Sequence, residues 1–184
     1  MLKRFKIGKA EICLLVLVLA ALILRFVLIS QNWPNTNSDE ATMDLMALHI
    51  LTRGEHPIFF YGQAYMGSFE AYIGAICFQL FGVSLFSLRL GLLPLVGIFL
   101  VSMYALTSLL YNKRLALFVV ALLAIGPGDS ILHQFKAIGG YSEVLVLGAL
   151  IFLFSSQLVL SRPDMESEGR KRLWIYALLG LLIG

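Results

Sequence analysis

The chain has 184 residues, of which 59% are hydrophobic and 14% charged, and its mean hydropathy is +0.87. Soluble globular domains contain about 45–50% apolar and about 25% charged residues, so this composition excludes an ordinary soluble domain. The net charge of +3 gives no indication of binding to nucleic acid. Continuous apolar runs predict an all-α integral membrane protein, because a helix satisfies its own backbone hydrogen bonds in lipid.

The N-terminal segment is basic and precedes the first long apolar run. Residues 1–11 carry four cations and are predicted to stay in the cytoplasm. Residues 12–30 are long enough to cross a hydrocarbon core of about 30 Å, and they form the first predicted transmembrane helix. A signal peptide is the alternative, although its apolar run is usually only about 7–15 residues long. Arg25, near the outer end, is expected to extend its charged group toward the lipid headgroups.

Residues 31–88 are predicted to form an outer loop that contains two interfacial helices. The first runs from about residue 39 to 52 and carries its apolar residues on one stripe, which is typical of a helix lying on a membrane. That stripe consists of Met43, Met46, Ala47 and Ile50. The second, at about 68–80, contains Glu70, and a charge at the bilayer centre is costly. A crossing helix at 59–81 remains the alternative.

The placement of positive charge favours the non-crossing interpretation. Further transmembrane helices are predicted at about 89–111, 115–132 and 143–160, and an incomplete one at 173–184, which suggests the front part of a longer protein. If 59–81 does not cross, the basic residues at 113–114 and 162–172 lie on the cytoplasmic side with the N-terminus, as the positive-inside rule expects. The same topology places the loop at 31–88 and the loop at 126–143 together on the outer face.

Three carboxylates are the candidate catalytic residues. Asp39 and Glu40 are adjacent at the start of the first interfacial helix, where a carboxylate at the membrane–water boundary can act as a general base. The structural alternative is that they complement the helix dipole, since Asn37 and Glu40 have capping-box spacing. Glu143, at the start of a predicted span on the same face, carries the same two interpretations.

Five further residues are candidates for substrate binding. Arg89 and Lys136 are cations at the outer face that are suited to hold a phosphate, unless their charged groups only reach for the headgroups. Tyr61, Gln63 and Tyr65 are predicted to line a sugar-binding groove, although aromatic residues at this depth also anchor proteins at the interface. The histidines lack metal-ligand spacing, so no metal site or cofactor is predicted, and a divalent cation stays open.

The order and sidedness of these features resemble the N-terminal part of GT-C glycosyltransferases. A basic N-terminus and one span lead to an outer loop that opens with Asp-Glu. Surface helices follow, then the run Phe-Gly-x-Ser-x-Phe-Ser-x-Arg-Leu at 81–90, a basic inner turn and a second acidic residue at the head of a later span. The group that the chain resembles most is the protein O-mannosyltransferase, aminoarabinose transferase and RgtA/B/C/D-like set.

The resemblance implies a GT-C-type transmembrane helical bundle and an enzyme of the plasma or inner membrane. Such enzymes transfer a sugar from a polyprenyl-phosphate carrier to a lipid, glycan or protein acceptor on the outer face. It also implies that Asp39 is the first-loop catalytic carboxylate with Glu40 beside it, that Glu143 is the second-loop acidic residue, and that Arg89 follows the first-loop helices. The alternative is an inactive truncated membrane fragment or an assembly protein. A transporter is disfavoured because the runs at 90–110 and 144–160 lack charges.

Overall fold

The computed structural model describes residues 8–160 and 166–183, with side chains described for 8–160 and 173–183. The regular secondary structure of these residues is helical apart from one isolated antiparallel bridge between Phe59 and Gly67, which confirms the all-α prediction for the described chain. The helices are α1 (Lys9–Ser30), α2 (Ser38–Arg53), α3 (Phe69–Phe81), α4 (Leu85–Leu110), α5 (Lys113–Ile125), α6 (Gly128–Phe135), α7 (Tyr141–Leu160) and α8 (Glu166–Ile183). Most of the predicted basic N-terminus and the start of the predicted basic loop, at 1–7 and 161–165, lie outside the described residues.

Three of these helices, α1, α4 and α7, are long and apolar enough to cross a membrane. The helices α5 and α6 taken together are also long and apolar enough to cross a membrane. The axes of the two helices are bent by 84°, so they form a broken span or a re-entrant pair. The sequence interpretation had one continuous helix at 115–132. The structure differs because Pro127 lacks a backbone N–H and disfavours the helical conformation of Gly126, so α5 ends at Ile125.

The two helices predicted for the outer loop correspond to α2 and α3. The side chain of Asn37 accepts a hydrogen bond of 3.2 Å from the backbone N–H of Glu40, and it thereby caps α2. Gly54, with a φ of 65°, ends α2 in the left-handed conformation that favours glycine. The helix α3 has 13 residues, about 20 Å at 1.5 Å per residue, so it is too short to cross a core of about 30 Å. Its placement at the interface stays a prediction.

Two hydrophobic clusters hold the helices together, and α4 contributes to both. The first joins α2, α3 and α6 to the beginning of α4, and it includes Met43, Met46, Phe78, Leu88, Leu92 and Phe135. Met43, Met46 and Ala47 of the predicted apolar stripe are fully buried in it. The second joins α1, α5 and α7 to the rest of α4, and it includes Val18, Ala21, Val96, Leu100, Val120 and Val146. A small α2–α3 unit therefore packs on one end of a helical bundle.

Gly74 of α3 lies at a close contact with α2 and α4, and it provides a test of this packing. A Cβ atom on Gly74 would lie 2.5 Å from Leu88 Cδ1 and 3.0 Å from Ala47 Cβ. We expect Gly74→Ala to lower the free energy of unfolding by about 1–3 kcal/mol, because the added methyl group overfills the contact. Thermal unfolding of the purified protein in detergent measures the effect. Gly148→Ala is the matched control.

The control adds the same methyl group to a spanning helix at a position with free space. No atom lies within 4 Å of a Cβ added at Gly148 in α7. Alanine favours a helix over glycine by up to about 1 kcal/mol, so this variant should melt at or above the wild-type temperature. Equal melting temperatures for the two variants would contradict the close packing of α2, α3 and α4.

Candidate functional site

A cavity of about 880 Å³ lies between the beginning of α2, the loop before α3, and the helices α6 and α7. Its polar lining consists of Asp39, Gln63, Tyr65, Asp129, Ser130, His133, Gln134 and Tyr141. Its apolar lining includes Phe99 of α4, Leu123 of α5, and Val144 and Leu145 of α7. The polar residues come from α6, from the loop before α3 and from the first turns of α2 and α7, whereas the apolar ones come mostly from candidate spans. The cavity therefore suits a ligand that is polar at one end and apolar at the other.

Asp39 borders this cavity from the first turn of α2. Its side chain is partly exposed, and none of the ion pairs found among the described residues involves it. Ser38 Oγ lies 3.5 Å from Asp39 Oδ1, at the limit of a hydrogen bond. The carboxylate therefore keeps lone pairs available to a molecule in the cavity, as a general base requires.

Glu40 points the other way, into a buried ion pair with Arg89. Arg89 Nε donates to Glu40 Oε1 at 2.8 Å, and Arg89 Nη2 donates to Glu40 Oε2 at 2.7 Å. The same Nη2 donates to the carbonyl oxygen of Pro34 at 2.7 Å, and both side chains are at most 1% exposed. Neither residue lines the cavity. The pair instead ties α2 and the preceding segment to α4, and so fixes the turn that carries Asp39.

Glu143 lies beside Glu70, close enough for its carboxyl group to act on that of Glu70 through its charge and through hydrogen bonding. Glu70 is fully buried in the first turn of α3, and the backbone N–H of Gly139 donates to its Oε2 at 2.9 Å. Burial and the neighbouring Glu143 carboxylate raise the pKa of Glu70 to about 8. Glu143 does not line the cavity, although its neighbours Tyr141 and Val144 do. The beginnings of α3 and α7 therefore meet through an acid pair.

Lys136 and Tyr61 have their polar groups bound elsewhere in the fold. Lys136 is 6% exposed, and its Nζ donates to the carbonyl oxygen of Asn35 at 2.8 Å. The hydroxyl of Tyr61 donates to Glu55 and lies 3.1 Å from Nδ1 of His49. That bond lowers the pKa of Glu55 and raises the pKa of Tyr61. Of the eight candidate residues, the structure brings Asp39, Gln63 and Tyr65 to the cavity, and the catalytic and binding roles of all eight stay predictions.

Arg25 holds the bent pair α5–α6 in place, and sequence reasoning missed this role. The side chain is fully buried, which corrects the expectation that it reaches the headgroups. Its guanidinium donates to Gln134 Oε1 at 3.0 and 2.7 Å, and to the carbonyl oxygens of Ala21, Leu123 and Ala124 at 2.9–3.3 Å. Leu123 and Ala124 lie in the last turn of α5, where carbonyl groups lack partners within the helix. Arg25 therefore fixes α6, which supplies four of the polar cavity residues.

His133 and Tyr141 form the cavity wall that α6 and α7 share. Their ring centroids are 4.5 Å apart, and Nδ1 of His133 lies 2.8 Å from the carbonyl oxygen of Asp129. No sequence pattern announces this contact, because it depends on the bend between α5 and α6. Within the residues that the structure describes, no group of three or more His, Cys, Asp or Glu residues is placed to hold a metal ion.

Comparisons with protein-family models, curated proteins and solved structures found no match to this chain. The resemblance to GT-C glycosyltransferases therefore remains a prediction, and the functional argument depends on the cavity and on Asp39.

Proposed function

We propose that this chain belongs to a GT-C-type membrane glycosyltransferase, which transfers a sugar from a polyprenyl-phosphate donor to a lipid, glycan or protein acceptor. The observation that carries the proposal is the position of Asp39. Its carboxylate borders a cavity of about 880 Å³ and forms no ion pair with another described residue. A pocket of this size accommodates a sugar phosphate together with the first part of its lipid chain.

The lining of the cavity supports a donor of this chemical class. A polyprenyl-phosphate sugar has hydroxyl groups at one end and an isoprenoid chain at the other. Gln63, Tyr65 and Tyr141 offer hydrogen-bonding groups and aromatic faces to a sugar ring, while Phe99 and Leu145 offer an apolar surface to the chain. Because these apolar residues belong to candidate spans, the lipid would not have to leave the membrane.

The proposed chemistry is a direct displacement at the anomeric carbon. Asp39 accepts the proton of the acceptor hydroxyl, and the hydroxyl oxygen forms a bond to the anomeric carbon. The bond from that carbon to the phosphate oxygen breaks, and the lipid phosphate leaves with the electron pair, which inverts the configuration. The buried pair of Glu40 and Arg89 keeps Asp39 in position during this step.

The location follows from the same proposal. Three helices long and apolar enough to cross a membrane support a multi-pass protein of the plasma or inner membrane. The basic residues near the N-terminus support a cytoplasmic location for that end, which corresponds to Asp39 on the outer face. The donor and the acceptor are then expected on that face.

The test is Asp39→Asn in the protein expressed from its complete gene. We expect sugar transfer to fall by roughly 100-fold or more, because asparagine keeps the shape of the side chain but cannot accept the proton. Membranes are incubated with a panel of radiolabelled polyprenyl-phosphate sugars, and incorporation is measured at equal protein levels. Glu55→Gln is the control, since Glu55 is a carboxylate of the same loop outside the cavity. Undiminished transfer by Asp39→Asn would remove Asp39 from the mechanism.

A further inference from the structure

The contact between Glu70 and Glu143 leaves two buried carboxyl oxygens without any hydrogen-bond donor. Oε1 of Glu70 and Oε2 of Glu143 are both inaccessible to solvent, and neither has a hydrogen-bond partner. The other oxygen of Glu70 is satisfied by the backbone N–H of Gly139 at 2.9 Å. Buried polar atoms without a partner are rare and costly, so a structure that presses two of them together requires something between them.

A proton is the occupant that this geometry fits. Two ionised carboxylates in contact repel each other, whereas one proton converts the contact into a short, strong hydrogen bond. A divalent cation needs about six oxygen ligands, and the described residues hold no group of three or more acidic, histidine or cysteine side chains for a metal. Glu70 has no access to bulk water, since its side chain is fully buried.

We propose that Glu70 and Glu143 hold one proton between them and that this proton fastens residues 136–143 to the beginning of α3. The fastened segment forms one wall of the cavity, because Gly139, Gly140 and Tyr141 line it. Gly139 and Gly140 both have a positive φ, of 83° and 89°, so a sharp turn brings this segment against α3. The acid pair is thus a latch between the two outer loops.

The charged groups on the neighbouring elements are engaged with other partners. Lys136 of the same segment donates to Asn35, Arg89 of α4 is paired with Glu40, and His133 of α6 contacts Asp129. On α2, burial raises the pKa of Asp44, and the charge of Glu40 adds to this effect. Glu143 is therefore the titratable side chain whose charge acts on Glu70.

Loss of the shared proton opens the latch as the pH rises. Burial and the Glu143 charge raise the pKa of Glu70 from 4.5 to about 8, so between these values the folded protein binds more protons than the unfolded chain. The contribution of the pair to stability is full below pH 4.5 and is lost as the pH rises through about 8. Above that pH the two charges repel, and Glu143 is the member that moves, because it is only partly buried.

The experiment measures thermal unfolding of the purified full chain in detergent between pH 6 and pH 9.5. We expect the wild-type melting temperature to fall by roughly 5 °C or more across pH 8. Glu143→Gln supplies a permanent donor in place of the proton, so its melting temperature should vary much less over this range. Glu70→Gln makes the same test from the other side if the first variant does not fold. Glu55→Gln, on an exposed carboxylate of the first outer loop, should keep the wild-type pH dependence.

Opening of residues 136–143 is measured separately, by the rate at which a cysteine introduced at a buried position of this segment reacts with maleimide. Ser142 is 2% exposed and Tyr141 is 51% exposed, so Ser142→Cys reports opening, and Tyr141→Cys corrects for the ordinary effect of pH on a thiol. Both are made with Cys13 and Cys77 replaced by serine and alanine. The ratio of the maleimide labelling rates of Ser142→Cys and Tyr141→Cys should rise at least about threefold from pH 7 to pH 9.

A constant ratio, or a Glu143→Gln variant with the wild-type pH dependence of melting, would overturn the proposal. Neither measurement requires sugar transfer, so the latch stands or fails independently of the proposed function.

Discussion

Arg89→Met is expected to lower the free energy of unfolding by about 3–5 kcal/mol, because Glu40 would remain as a buried charge without its partner. Arg89 makes two hydrogen bonds to Glu40, of 2.8 and 2.7 Å, and a third to Pro34, and the pair is almost completely shielded from water. For a chain of this size the loss corresponds to a fall in melting temperature of roughly 10 °C. Thermal unfolding in detergent, followed by light scattering and fluorescence, measures it.

A double variant separates the pair from the packing of its side chains. Arg89→Met with Glu40→Gln removes both charges, so it should recover part of the stability that Arg89→Met loses. Arg89→Lys keeps the positive charge but cannot form the two parallel bonds, and it should lie between the wild type and Arg89→Met. Lys113→Met, which breaks the exposed pair with Glu11, should melt close to the wild-type temperature. Equal effects of Lys113→Met and Arg89→Met would contradict the structural role of the buried pair.

The parts of this fold that the sequence predicts are those that depend on neighbouring residues. The apolar runs predict the long helices, and the side chain of Asn37 caps α2 at the spacing that the capping motif requires. Met43, Met46 and Ala47 share one face of α2 as their periodicity indicates, but that face is buried in the protein core with α3 and α4, whereas the sequence interpretation turned it toward the membrane. Each of these features follows from contacts within about four residues, which a single sequence displays directly.

The partners of the charged residues depend on distant contacts and could not be predicted in this way. Arg25 and Gln134 are 109 positions apart, Glu40 and Arg89 are 49 apart, and Glu70 and Gly139 are 69 apart. An arginine near the end of a span has the same local sequence whether it reaches the headgroups or caps another helix. Here the break after α5 decides the outcome, because it frees carbonyl groups beside Arg25. The cavity depends on the same break, so the sequence around α6 could not predict that residues of this helix line the cavity.

Arg25→Met is expected to destabilise the bend between α5 and α6. The variant leaves Gln134 Oε1 and the carbonyl oxygens of Leu123 and Ala124 without the donors that now satisfy them. Each buried acceptor that loses its donor costs about 1–3 kcal/mol, so the melting temperature should fall further than in Gly74→Ala. Arg25→Lys retains a charge but has a single nitrogen, which cannot reach both Gln134 and the end of α5, so it should recover only part of the loss.

Trp33 reports whether α6 itself has moved. Its ring centroid lies 6.1 Å from that of Phe135, the last residue of α6, and the chain contains one other tryptophan, Trp174. In a Trp174→Phe background, Arg25→Met should change the Trp33 emission, because α6 separates and the partly exposed indole loses its contact with Phe135. Gly148→Ala in the same background should leave the emission unchanged. If Arg25→Met keeps both the wild-type emission and the wild-type melting temperature, Gly126 and Pro127 suffice to hold the bend, and the buried guanidinium does not support the cavity wall.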